Sequence, residues 1–166
     1  LDKSKLPNLV NVWDAVTART EQYDPNGDYS VNYMWGTTGI GYNPAKVAEM
    51  LGEDAPVNSL SLVFDPANAE KISECGFYML DAPTEMIPAA LAYLGKNPDS
   101  QDVDDIRAAG EVLAAVRPFI TKFDSSEYIS ALANGEICVA LGWSGDVFQA
   151  QFRASEAENG VEVAYS

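Results

Sequence analysis

The second half of the chain alternates strand and helix signals three times, and this order constrains the fold more than any other feature. Three short apolar segments, residues 76–80, 119–123 and 137–141, read as strands, and each leads through a turn or capping signal into a helix. Strand-then-helix repetition builds a sheet covered by helices. We therefore predict an α/β fold, a three-layer α/β/α sandwich, as one domain over residues 1–166.

Capping signals mark where several helices begin. Asn43-Pro44 and Asp65-Pro66 each place a capping side chain before a proline at the first helical position, and Gly52 ends the first of these helices. The other elements follow from periodicity and turn residues. We predict helices over 8–22, 83–94, 102–117, 126–134 and 145–157, and strands over 29–42 and 161–165.

The three strand-to-helix junctions are expected to open on one edge of the sheet, called here the carboxyl edge and comprising residues 81–85, 124–126 and 143–146. Ligands of open α/β sheets bind beyond the carboxyl ends of the strands. Each junction carries polar or aromatic side chains: Asp81 with Glu85, Ser125 with Ser126, and Trp143 with Asp146.

Each of these residues also has a purely structural interpretation. Asp81 precedes Ala82-Pro83 and is predicted to cap the following helix, whereas Glu85, one turn further, is free to point over the edge or into solvent. Ser125 suits a helix cap as well as a ligand contact. Trp143 suits core packing, but a Trp followed by Ser-Gly-Asp at a strand exit favours a ligand contact.

Trp143 and Asp146 together indicate the class of ligand. An indole face attracts a cation through its quadrupole, and a carboxylate pairs with an ammonium. A small organic cation is therefore the expected ligand.

The composition agrees with this ligand class. Twenty-five Asp and Glu against ten Lys and Arg give a formal charge of −15, which argues against nucleic acid or anionic lipid as a partner. A soluble acidic surface explains the same charge. The sequence has no apolar run of transmembrane length, so we expect a soluble chain.

Catalytic, metal and cofactor motifs are weak. The absence of His excludes Ser-His-Asp and Cys-His catalysis and disfavours a zinc site, which leaves for an enzyme only carboxylate chemistry, such as a glycosidase pair of Glu85 and Asp146. Asp24 begins a segment with calcium-loop spacing, but Tyr29 and Trp35 stand where that loop needs Gly and Glu. The glycines of residues 36–41 lack a phosphate-binding pattern. We expect neither metal nor cofactor, and no enzymatic activity.

Two further features concern the chain's history. The only cysteines, Cys75 and Cys138, each lie beside a predicted strand, and the sequence leaves a disulfide and two buried thiols both open. The chain begins at Leu1 without a Met or a signal peptide and stops at Ser166 just after a predicted strand. We expect a piece of a longer protein.

Long runs of the sequence resemble one protein family. They are YMWGTTGIGYN (33–43), LGEDAPV (51–57), CGFYMLDAPTE (75–85), LAYLGKNP (91–98), SSEYISALANGEICVALGWSGDVFQA (125–150) and NGVEV (159–163). In this order they are similar to the bacterial periplasmic polyamine-binding proteins of ABC transporters, which bind putrescine or spermidine. The resemblance covers nearly the whole chain.

The resemblance implies one lobe, mainly the second, of a two-lobed type II periplasmic-binding-protein fold that closes on its ligand and delivers it to a membrane permease. It implies a soluble periplasmic location and a missing first lobe that supplies the rest of the site. The family's ligand contacts fall on Glu85, Ser125, Trp143 and Asp146, and its disulfide falls on Cys75 and Cys138. A different organic cation as ligand, or a homologue that binds a protein partner, remain alternatives.

Overall fold

The computed structural model describes all residues from Leu1 to Ser166. It divides the chain into two compact units, residues 1–36 and residues 37–166. The sequence led us to expect one domain over residues 1–166, whereas the sheet and its helices occupy only the second unit.

The first unit contains short helices and no strand. Two 3-10 helices, Lys3–Lys5 and Pro7–Asn11, precede α1, which spans Asp14–Thr20. The continuous helix predicted over 8–22 is wrong, because Val12 and Trp13 have extended backbone angles and interrupt it. The Asp24 carboxylate, the start of the calcium-like segment, accepts hydrogen bonds from the backbone of residues 28–30 and so closes its own loop.

The second unit holds five strands and seven helices. The strands are β1 (Thr38–Tyr42), β2 (Phe77–Met79), β3 (Lys122–Phe123), β4 (Val139–Trp143) and β5 (Ala164–Tyr165). The helices are α2 (Pro44–Leu51), α3 (Ser61–Phe64), α4 (Pro66–Ser73), α5 (Pro83–Tyr93), α6 (Val103–Val116), α7 (Tyr128–Ala133) and α8 (Ser144–Ala157), with a 3-10 turn at Arg117–Phe119.

Capping explains why several helices begin where the sequence predicted. Asn43 Oδ1 accepts from the Lys46 N–H, Asp65 Oδ1 from the Ala67 N–H, and Asp102 Oδ1 from the N–H groups of residues 104 and 105. These bonds satisfy backbone donors that the first turn of a helix leaves unpaired. The predicted cap at Asp81 is wrong: Ala82 holds the cap position of α5, and no side chain caps it.

The sheet is mixed, with the order β3-β2-β4-β1-β5. β2 is parallel to both β3 and β4, and β1 is antiparallel to β4 and β5. Helices α7 and α8 pack on each other and against β1 and β4, and α2 to α6 form the second helical layer, in which α4 contacts β2. The predicted three-layer sandwich is confirmed.

All five predicted strands have different bounds in the structure, and those predicted over 76–80 and 161–165 shrink to β2 and β5. The strand predicted over 29–42 is limited to β1, because residues 29–36 belong to the first unit and have no strand to pair with. The strand predicted over 137–141 is shifted to Val139–Trp143, since pairing with β1 carries the ladder to Trp143. The strand predicted over 119–123 shrinks to β3, because Phe119 ends a 3-10 turn.

A disulfide joins Cys75 to Cys138, with 5.5 Å between their Cα atoms. Each cysteine lies just before one of two neighbouring parallel strands, β2 and β4, so the pairing of these strands brings the two residues together. The disulfide that the resemblance implied is therefore confirmed. None of the helices combines the length and the apolarity that a membrane-crossing segment needs.

Candidate functional site at the carboxyl edge

The carboxyl edge collects the three predicted junctions as expected. Because β2, β3 and β4 run parallel, the segments that follow them leave the sheet at the same edge. The antiparallel β1 adds its first residue, Thr38, which lies opposite Trp143 in the β1–β4 register. Four adjacent strands of the sheet thus contribute to one edge.

Trp143 is the last residue of β4, and α8 begins at the next residue. Its side chain is partly buried and packs against the core while part of it stays accessible. The core interpretation and the ligand-contact interpretation therefore each describe part of this residue. A partly buried indole at a strand end offers an apolar wall and a cation-attracting face.

Asp146 lies in the first turn of α8 and is partly buried. Its Oδ2 atom accepts a hydrogen bond from the Tyr128 hydroxyl at 2.7 Å, and the same hydroxyl accepts from the Trp143 N–H at 3.1 Å. Tyr128, the first residue of α7, is buried, with 1% of the residue exposed. Burial, and then the hydrogen bond to Asp146, raise the pKa of Tyr128 far above its usual value.

Glu85 lies in the first turn of α5 and is also partly buried. Its Oε2 atom accepts a hydrogen bond from the Thr38 hydroxyl of β1. Since Thr38 lies opposite Trp143, this bond places the Glu85 junction beside the Trp143 junction. Of the two orientations that the sequence left open, Glu85 adopts the one directed at the edge.

Ser125 connects the other two junctions rather than capping a helix. Its hydroxyl oxygen accepts from the Asp81 N–H at 3.1 Å, which links the segment after β3 to the segment after β2. No side chain caps α7: Glu127 holds its cap position, and the Asp124 Oδ1 atom accepts from the N–H groups of Ser126 and Glu127 in the turn before the helix. The Ser125 oxygen keeps a second lone pair, which can accept a hydrogen bond from an external donor.

Two carboxylates of the carboxyl edge, Glu85 and Asp146, have no cationic partner within the chain. Neither takes part in an ion pair, whereas Asp124 of the same edge pairs with Lys122 and the remaining salt bridges involve carboxylates outside the edge. In each of the two residues one carboxylate oxygen accepts from a hydroxyl, and the other has no donor within the chain. The site can therefore accept hydrogen bonds from an ammonium group and pair with its positive charge.

The sequence does not identify two residues of this arrangement, Thr38 and Tyr128, as part of the site. Its pattern indicates only that Thr38 lies in a strand and Tyr128 in a helix. The one available signal was that Tyr128 follows a Ser-Ser-Glu junction at the carboxyl edge. Its contact with Asp146, which is 18 residues away, depends on how α7 and α8 pack.

Comparisons with known proteins identify relatives of the chain. The chain is 52% identical over 166 residues to the putrescine-binding periplasmic protein SpuD of Pseudomonas aeruginosa, and 50% identical over 167 residues to the putrescine-binding periplasmic protein PotF of Escherichia coli. Each match covers all of this chain and 45% of the relative. The chain thus spans slightly less than half the length of these curated relatives.

Solved structures give the same result for the fold. The TpPotD lipoprotein of Treponema pallidum matches with a TM-score of 0.77 and 28% identity, over 99% of this chain and 47% of that protein. No family model matches the sequence.

Proposed function

We propose that this chain, which is similar over its whole length to part of the bacterial periplasmic polyamine-binding proteins, supplies one half of a polyamine site in such a protein. The ligand is putrescine or spermidine, and the complete protein captures it in the periplasm for an ABC permease. The role is binding and transport rather than catalysis.

The observation that carries this proposal is that two carboxylates of the carboxyl edge, Glu85 and Asp146, have no cationic partner within the chain. A partly buried carboxylate without a partner is costly unless a ligand or water satisfies it. A diammonium chain offers charged ends for the carboxylates and methylenes for the indole. Ser125 supplies a further polar contact from the neighbouring junction.

The rest of the site belongs, in this proposal, to a first lobe outside this chain. The relatives are about twice as long as the chain, which leaves room for a second lobe of similar size. A ligand held between two lobes binds the closed form preferentially, and the permease then recognises that closed form. The Cys75–Cys138 disulfide agrees with a periplasmic location, where disulfides persist.

A two-dimensional NMR titration of the chain tests the proposal, with putrescine, spermidine and an uncharged diol of putrescine's length as ligands. We expect both amines, but not the diol, to shift signals at Glu85, Ser125, Trp143 and Asp146. Because half of the site is missing, the affinity should be weak. Equal shifts with the diol, or no shifts in a well-folded spectrum, would contradict a cation site on this chain.

Two charge variants sharpen the titration. Asp146→Asn removes a carboxylate from the edge and should abolish most of the amine response. Asp104→Asn removes the same charge from an exposed position in the first turn of α6 and should leave the response unchanged. Equal losses in both variants would indicate a general effect of net charge instead of a site.

A further inference from the structure

Tyr128 links the two sides of the Trp143–Asp146 junction through one buried hydroxyl group. The hydroxyl donates to Asp146 Oδ2 and accepts from the Trp143 N–H, so both of its hydrogen-bonding roles are used. Its ring is buried against the core, and α7 carries it into this position. Tyr128 therefore reaches the carboxyl edge from the core, and its hydroxyl bonds only groups of the chain itself.

No other group of the chain bonds the Asp146 carboxylate. The side chain lies in the first turn of α8, and without the Tyr128 hydroxyl it would be free to change rotamer. The Trp143 N–H also depends on this hydroxyl as its acceptor. One oxygen atom therefore bonds both the backbone of Trp143, at the end of the β1–β4 ladder, and the carboxylate of Asp146.

We propose that Tyr128 is a positioning residue of the cation site, which holds Asp146 and Trp143 in the arrangement that receives an ammonium group. This inference rests on the proposed function. A carboxylate that is already oriented loses less conformational freedom when the ligand binds, and this gain in affinity requires no contact between Tyr128 and the ligand.

The protonation state of Tyr128 supports the role. Burial raises the pKa of its hydroxyl well above the ordinary value of 10.0, so the proton stays in place at neutral pH. The hydroxyl is therefore a permanent donor to Asp146 under the conditions in which a periplasmic protein works. A phenolate could not hold the carboxylate, because two negative oxygens would repel each other.

A double-mutant cycle tests the inference in the putrescine titration. Tyr128→Phe should reduce the initial slope of the shifts at Trp143 about tenfold, as expected for loss of a hydrogen bond to a charged group. In an Asp146→Ala background the same change should reduce the slope less than about twofold, because the side chain that the Tyr128 hydroxyl orients is gone. Equal reductions in both backgrounds, or no reduction in either, would overturn the inference.

A second measurement needs no ligand. Three-bond couplings should show one χ1 rotamer of Asp146 in the wild-type chain and averaged rotamers in Tyr128→Phe. Tyr93→Phe is the matched control, because the Tyr93 hydroxyl makes no hydrogen bond within the chain and its ring packs on Phe64. A single Asp146 rotamer in Tyr128→Phe would overturn the positioning role.

The two measurements separate the inference from the proposed function. If wild-type chain gives no amine-selective shifts, the function is contradicted, and the rotamers of Asp146 still decide whether Tyr128 orients the carboxylate. If the amines bind and the cycle shows no coupling, the function stands and the positioning role fails.

Discussion

The ring of Tyr128 lies directly against Gly142, so that a Cβ atom at position 142 would come within 2.5 Å of Tyr128 Cε2. Gly142 is the residue of β4 that precedes Trp143. A glycine here is therefore a requirement of packing: it makes the space through which Tyr128 reaches the carboxyl edge.

Gly142→Ala should lower the free energy of unfolding by about 1–3 kcal/mol, the usual range for overpacking a core. Urea denaturation measures this value. Gly110→Ala is the control and should raise the free energy of unfolding, because a Cβ at that position in α6 meets nothing within 4 Å. Alanine should stabilise that helix by up to about 1 kcal/mol. A neutral Gly142→Ala would show that Tyr128 can move away without cost.

Thr38→Val should weaken the putrescine response, because Glu85 loses the hydroxyl that donates to its Oε2 atom. Valine suits a strand, so the fold should be retained. We expect the shift at Glu85 to have an initial slope about five to ten times smaller in the same titration. The exposed Thr84 lies next to Glu85 and makes no side-chain hydrogen bond, and Thr84→Val should leave the slope unchanged. Equal slopes for both variants would indicate that Glu85 needs no orienting bond.

Removal of the disulfide should destabilise the chain. Cys75 and Cys138 are 63 residues apart in sequence, and closing a loop of that length is worth about 4 kcal/mol in the chain-entropy model. Cys75→Ala/Cys138→Ala should unfold at correspondingly lower urea concentration. Dithiothreitol should shift the wild-type transition towards that of the variant and leave the variant itself unchanged. A wild-type transition that reduction does not move would contradict a stabilising role for the bond.

Asp124 should make the stability of the chain depend on pH. The hydrogen bonds from the N–H groups of Glu127 and Ser126 lower the pKa of Asp124 from its ordinary value of 3.8. A carboxyl whose pKa is lower in the folded state stabilises the fold above the ordinary value, and this contribution is lost as the pH falls through the folded-state pKa.

Asp124→Ala should therefore cost about 1 kcal/mol at neutral pH, a typical net value for lost hydrogen bonds of this kind. The difference from wild type should disappear in acid, as urea denaturation at a series of pH values would show. Asp99→Ala removes an exposed carboxylate that accepts no hydrogen bond within the chain and should have little effect at any pH. A difference from wild type that is constant with pH would exclude the charge of Asp124 as its cause.

Local chemistry was enough to predict the elements whose ends depend on nearby residues. The helices that follow Asn43-Pro44 and Asp65-Pro66 begin as predicted, because the capping bond joins residues two or three positions apart. The carboxyl ends of β2, β3 and β4 were expected to share one edge of the sheet, and they do. A strand that is followed by a helix and then by another strand favours a parallel pair.

The sequence by itself determined the three-layer fold and the positions of the junctions, since both follow from the short-range pattern of strands and helices. The resemblance to one family then identified Glu85, Ser125, Trp143 and Asp146 within these junctions. The tertiary structure alone decided how the carboxylates are held. Thr38 contacts Glu85 across 47 positions of sequence, and Tyr128 contacts Asp146 across 18. Such contacts come from strand pairing and helix packing between distant segments, for which no local pattern of residues carries a signal.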